Sequence, residues 1–306
     1  MISLRYHAVS IAAVFLALAI GVVLGAGGVS DRLLGAVSSR TDELAAQVQT
    51  LTAERDALAA AQRASDEFAQ RVGPAAVTGL LQGESVALVT SEADPADRDA
   101  VLALLEEAGA LLTGEVALTP AVGDPARADQ LRELTSQLLP TGAQLPAASD
   151  TGSLVGGLLG GVLLTQSAQV TPAQADAVLS GLATAGFVAP GETPGRADLV
   201  LVLTGGAFTG LDAADAAAVT ARMAAQLDRG GSGAVLAGRT GSAEPTGPVG
   251  VARADPEVTA QLSTVDNVDT AAGRVSTVLA LREQMDGRAG RYGSAVSAAD
   301  GATPEA

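Results

Sequence analysis

The sequence predicts an α/β protein attached to a membrane: an N-terminal transmembrane helix, a coiled-coil helix, then a mostly parallel sheet covered by helices on both faces. Three observations carry this reading. The 22 residues from Ala8 to Val29 hold no charge, a heptad register runs from Leu34 to Val72, and from Glu84 onward short apolar runs alternate with amphipathic segments.

The uncharged run includes Ala8, Phe15, Leu16 and Val29 and is bounded by Arg5 and His7 before it and by Asp31 and Arg32 after it. A helix of about 20 residues crosses a bilayer, whereas a secretory signal has an apolar centre of roughly 7 to 15 residues. Length therefore favours a retained signal-anchor over residues 1–30. The small residues of VLGAGGVS also offer a cleavage site near Ala26. An uncleaved helix suits the inner membrane, and cleavage would release the protein outward. Arg5 places the amino terminus in the cytoplasm under the positive-inside rule, so the rest of the chain lies outside the inner membrane.

Residues 31–73 read as a coiled coil. The a positions are Leu34, Thr41, Val48, Arg55, Gln62 and Ala69, and the d positions are Val37, Leu44, Leu51, Leu58, Ser65 and Val72. Leu44, Val48, Leu51 and Leu58 form the apolar seam. Thr41, Arg55 and Gln62 place polar groups in it, which limits stability and selects register and oligomer state. The expectation is a homo-oligomer joined by a rod of roughly 60 Å at 1.5 Å per residue. One amphipathic helix folded back on its own domain fits the same pattern. Gly73 and Pro74 are the expected stop.

Residues 84–286 read as one α/β domain. SVALVT is a buried strand, and DPADRDAVLALLEEAG a helix with Asp94 as cap, Pro95 in its first turn and Gly109 as stop. LLTGEVAL is the next strand candidate, and Asp124 to Gly186 is mostly helical, with turns at Pro140 and Pro172. ADLVLVLTGG, a helix, GAVLAG, a short strand in QLSTVDN, an Asp269 cap and a last helix follow. Continuously apolar strands alternating with helices imply a parallel sheet covered on both faces. The 11 residues of LVGGLLGGVLL are too few to cross a membrane and read as a buried helix with a small-residue face. Residues 287–306, rich in Gly, Ala and Ser, read as a disordered tail.

Composition narrows function. The formal charge is −16, with 34 acidic residues against 18 basic ones, all arginine, which argues against nucleic-acid binding. There is no cysteine, so no disulfide or thiolate metal site forms. Tryptophan is absent and only six residues are Phe or Tyr, so the aromatic girdle of a transmembrane barrel is missing. Asp94 and Asp97, beyond the first strand, and Asp266 and Asp269, in DNVD, carry oxygen ligands for a hard cation. Acidic residues also cap and charge helix N-termini, the simpler reading of all four. LTGG (203–206) lacks the spacing of a phosphate loop and reads as a tight turn. No nucleophile, base and orienting group can be assembled, so the chain reads as a non-enzyme without a cofactor.

At its two ends the sequence resembles a known family. MISLRYHAVSIAAVFLALAIGVVLG at the amino end, with STVDNVDTAAGRVSTVLALREQ and GRYG (290–293) near the other, resembles the mycobacterial copper transport protein B (MctB) family of actinobacteria. The resemblance implies a channel-forming outer-membrane protein that contributes to copper efflux or resistance, with copper ions as its transported species. It supplies no catalytic motif. The residues temper this picture. Copper(I) prefers Cys and Met sulfur and copper(II) imidazole, yet this chain has one histidine, His7, and Met only at positions 1, 223 and 285. A high-affinity copper site within one subunit does not follow, and any channel has to come from assembly of subunits. The residues alone describe an anchored coiled-coil scaffold whose α/β head binds an envelope partner or a small ligand.

Overall fold

Six parallel strands build the sheet, in the order β2-β1-β3-β4-β5-β6. The computed structural model describes residues 4–26, 29–167 and 170–304. It divides into two units, Met1–Ala64 and Ser65–Ala306.

The first unit holds α1 (Leu4–Ala26) and most of α2 (Val29–Val77). Apolar residues surround α1 on every side, the pattern of a helix that needs an apolar solvent or a buried position. Among the described residues it is the one helix long and apolar enough to cross a membrane, over Tyr6–Val23, and none of that stretch is buried by protein. Phe15 and Leu16 are exposed, as are Leu44, Val48, Leu51 and Leu58 along α2. Val29 opens α2.

The expected stop at Gly73 and Pro74 is not where α2 ends. The helix continues to Val77 with Pro74 inside it. Proline interrupts a helix by removing one N–H and crowding the preceding turn. Here Val77 and Leu81 are fully buried in the second unit, which draws the last turn inward. The Thr78 amide and hydroxyl both donate to the Pro74 carbonyl, at 3.0 and 2.8 Å, and Gly79, at φ 76°, turns the chain away.

In the second unit β1 (Ser85–Ser91), α3 (Pro95–Glu107) and β2 (Leu111–Leu118) follow the expected order. The Asp94 side chain accepts from the Ala96 amide at 2.9 Å, and Gly109, at φ 82°, closes α3. The middle is helical: α4 (Ala128–Gln137), α5 (Thr151–Leu163) and α6 (Pro172–Thr184). Glycines let α5 lie against α7 (Ala213–Gly230): a Cβ on Gly156 would stand 2.7 Å from the Met223 carbonyl oxygen. So LVGGLLGGVLL is a buried helix, as its length requires.

β3 (Leu199–Thr204) is fully buried, and β4 (Ala234–Gly238) pairs beside it. Side chains alternate along β3: Val200 and Val202 face α5, α6 and α7, whereas Leu199, Leu201 and Leu203 face the end of α2, α3 and α10 (Ala271–Met285). Two apolar layers therefore flank one parallel sheet, as continuously apolar strands demand. Two short helices, α8 (Pro248–Arg253) and α9 (Pro256–Thr259), lead to β5 (Ser263–Val265).

Two expectations change at the carboxyl end. Thr270, not Asp269, caps α10, its hydroxyl accepting from the Gly273 amide at 3.0 Å. The stretch read as a disordered tail contains β6 (Arg291–Tyr292), which extends the sheet beyond β5. Composition hid this because two residues show no strand periodicity. What holds β6 is tertiary: the Tyr292 hydroxyl donates to buried Glu283 at 2.6 Å, and Arg291 pairs with Asp300 at 2.9 Å.

Candidate functional site

Beyond β1 the connection leads to β2 on one side, whereas β3 pairs on the other. Open parallel sheets bind ligands in the crevice at such a switch, outside the carboxyl ends of the strands. Glu92, directly after β1, has φ 54°, and is the one non-glycine with positive φ among the described residues. Side chains resist that conformation, and it is a feature of functional turns. The turn is tight because Gly205, after β3, backs onto it: a Cβ there would lie 2.7 Å from the Glu92 carbonyl oxygen.

Arg239, from the end of β4, spans this crevice. Its guanidinium donates to Asp94 at 2.8 Å and stands 2.9 Å from Asp97, both at the start of α3. Burial holds the Asp97 carboxyl above its ordinary pKa; Arg239 pulls it down, while Asp94 and Asp269 push it up. Asp269 accepts from the Thr240 amide at 2.8 Å and the Thr240 hydroxyl at 3.0 Å. The structure thus gathers Asp94, Asp97 and Asp269 along one edge and threads Arg239 among them.

Asp266 has a different setting. It is 1% exposed and lies 2.6 Å from Arg253, itself 3% exposed. The amides of Ser294 and Ala295 donate to it at 2.8 and 3.2 Å. Arg253 also donates to the Tyr292 carbonyl at 2.7 Å, and burial lowers its pKa despite the carboxylate beside it. This network fastens β6 to β5. All four aspartates singled out in the sequence therefore have partners inside the chain. Among the described residues no group of three or more His, Cys, Asp and Glu side chains has the arrangement to hold a metal ion.

Four buried side-chain oxygens lack a hydrogen bond among the described residues: Asp97 Oδ2, Thr204 Oγ1, Ser242 Oγ and Asn267 Oδ1. Asp97 Oδ2 is near Arg239 Nε, but off the axis a hydrogen bond requires. In order these residues follow β1, end β3, follow β4 and follow β5, so all four stand at the carboxyl ends of adjacent strands. Buried polar atoms are normally paired, and their concentration at one edge marks it as the polar, unfinished part of the head. Beside it lies a cavity of about 270 Å³ whose lining includes Glu92, Asp124, Phe208 and Leu211.

Met223 is fully buried under the sheet, Met285 packs on the opposite apolar layer, and His7 is exposed on α1. Arg239 and Arg253 organise the edge, and sequence reading missed both. An arginine far along the chain from its carboxylate carries no spacing signal.

One helix long and apolar enough to cross a membrane, a long helix with exposed leucines and a parallel α/β head with an acidic, arginine-laced edge define the architectural class. The chain belongs to the MctB family: the family model described as "Copper transport outer membrane protein, MctB" matches residues 1–304. It is 42% identical to Copper transporter MctB of Mycobacterium tuberculosis (strain ATCC 25618 / H37Rv) over 304 residues, covering 96% of each chain. It is also 39% identical to Copper transporter MctB of Mycobacterium leprae (strain TN) over 306 residues, again covering 96% of each.

Proposed function

We propose that this chain contributes to copper efflux or resistance in the cell envelope, as an anchored oligomer that forms or supports a channel. The observation that carries the reading is kinship along nearly the whole chain with proteins named copper transporters. In this reading residues 1–30 are the anchor, with Ala8, Phe15, Leu16 and Val29 in the apolar run. Leu44, Val48, Leu51 and Leu58 join subunits, and residues 84–286 form the head. The family description names the outer membrane, and an uncleaved α1 is equally compatible with the inner one. Copper ions are cargo, and Met223 and Met285, in opposite apolar layers of the head, do not share a soft-ligand site to retain them. An acidic path through an assembly passes cations by charge and size instead.

The test is the copper content of cells lacking the gene, grown with and without added copper, beside a complemented strain. Copper should rise in the deletion strain and return to normal on complementation. Unchanged copper with an impaired envelope would overturn the transport reading. It would favour a second one, an anchored scaffold whose head binds a partner or small ligand, which the buried oxygens without a hydrogen bond beyond the carboxyl ends of β1, β3, β4 and β5 support.

A further inference from the structure

The four buried oxygens without a hydrogen bond gather around two consecutive residues, Gly238 and Arg239. A Cβ on Gly238 would stand 2.5 Å from Ser242 Oγ and 3.0 Å from Thr204 Cγ2, so these two side chains meet over it. The Gly238 carbonyl accepts from the Val268 amide at 3.0 Å, which brings in the preceding residue, Asn267. Arg239 Nε stands 2.9 Å from Asp97. Arg239 follows β4 and reaches Asp94 and Asp97 beyond β1, so its side chain crosses the end of β3, where Thr204 lies. It closes the crevice as a strap. A strap held by a partly exposed ion pair opens at little cost.

The charges around the strap select what can enter. Arg239, Asp94, Asp269 and Arg274 act on Asp97, and Glu92 adds a carboxylate to the neighbouring cavity. Carboxylates outnumber arginines, so an anion is repelled. A cation meets the Arg239 guanidinium, and no group of three or more His, Cys, Asp and Glu side chains is arranged to hold it among the described residues. A neutral ligand escapes both objections. The hydroxyls of Thr204 and Ser242 donate and accept, while Asp97 Oδ2 and Asn267 Oδ1 accept, and ligand hydroxyls answer all four because they do both. The cavity of about 270 Å³ adds Phe208 and the fully exposed Leu211, apolar surfaces for the C–H face of a ring. Ligand pockets run from about 300 to 1,000 Å³, so this one suits a single ring.

We infer that the crevice over Gly238 binds a neutral sugar ring, whose hydroxyls pair with Thr204, Ser242, Asn267 and Asp97 once the Arg239 strap turns aside. The inference rests on the small-ligand reading of the head and names its ligand class. It asks nothing of the anchor or of copper.

The test uses the full chain in a detergent without a sugar headgroup. Saturation-transfer NMR probes it with D-glucose, D-galactose and myo-inositol, and with glucuronate and glucosamine as the anionic and cationic counterparts. Transfer should reach at least one neutral probe and neither charged one. Thr204→Val combined with Ser242→Ala removes two hydroxyls that have no partner in the fold, so the double variant should unfold at the same or higher denaturant concentration while binding the sugar about tenfold more weakly. In the natural chain the Thr204 methyl resonance should shift when the sugar is added, a readout that needs no variant. An unmoved Thr204 methyl, or transfer that survives the double variant, would place the sugar elsewhere and overturn the site. Preference for a charged probe, with the Thr204 methyl shifting, would overturn the neutral class and leave the ligand-binding head standing. No transfer to any probe would overturn both.

Discussion

Two arginines meet aspartates at the carboxyl edge of one sheet, and their settings differ. Arg253 and Asp266 are almost completely buried, 2.6 Å apart, and the Ser294 and Ala295 amides also donate to the carboxylate. Arg239, 40% exposed, spreads over Asp94 and Asp97, and Asp97 keeps one oxygen without a hydrogen bond. The first pair completes the fold by attaching β6. The second crosses the switch between β1 and β3, where a ligand would enter a parallel sheet. The lesson is that residue type does not separate an enclosed ion pair from a half-exposed one, whereas burial and the completeness of its hydrogen bonds do.

The largest effect should come from breaking the buried pair. Asp266→Ala leaves the Arg253 guanidinium enclosed without its counter-charge and deprives the Ser294 and Ala295 amides of their acceptor. Removing one partner of a buried pair costs about 3–5 kcal/mol. Denaturant unfolding should show a loss of that size, and hydrogen exchange should rise first around Arg291 and Tyr292. A loss below about 1 kcal/mol would place this pair in the same class as Arg239 and dissolve the comparison.

How far the sequence foretold this edge depends on the range of the interaction. Local signals read true: Asp94 caps α3, Gly109 ends it, and the apolar runs became β1, β3 and β4. Signals that needed tertiary knowledge did not. Asp269 and Thr270 are both good caps, and only the fold shows that Thr270 serves α10 while Asp269 turns to Thr240. Pro74 stops a free helix, yet burial of Val77 carries this one past it. Arg239 meets Asp94 across 145 positions, a distance at which no motif operates. The two-residue β6 exists because Tyr292, Glu283 and the Arg253 network hold it.

A fourth carboxylate sharpens the contrast, because it is buried with no ion pair among the described residues. Asp228 accepts from the Ala234 amide at 2.8 Å, and burial pushes its pKa up to about 6. With the folded value raised above the unfolded one, the native state holds the extra proton between about pH 4 and 6. Stability from this group therefore falls as pH rises through that window, by roughly 3 kcal/mol for a shift of about two units. Asp228→Asn mimics the protonated form and keeps an acceptor for Ala234. The variant should match the natural protein near pH 4 and exceed it at pH 7.5 by about 2–3 kcal/mol in denaturant unfolding. Parallel stability curves across that range would show that Asp228 does not titrate with folding.

The smallest effect on stability should come from Arg239, and that smallness is informative. Its guanidinium is partly in water, where ion pairs contribute about 0–1 kcal/mol. Arg239→Met keeps the length of the side chain and should change unfolding by less than about 1 kcal/mol, several-fold less than Asp266→Ala. The same substitution removes the charge that lowers the Asp97 pKa, while burial and the charges of Asp94 and Asp269 continue to raise it. The Asp97 carboxyl, followed by carbon NMR during a pH titration, should therefore move to still higher pKa in the variant. A large stability loss with no movement at Asp97 would make Arg239 a second structural tie, and the crevice between β1 and β3 would lose its claim to be the open end of the head.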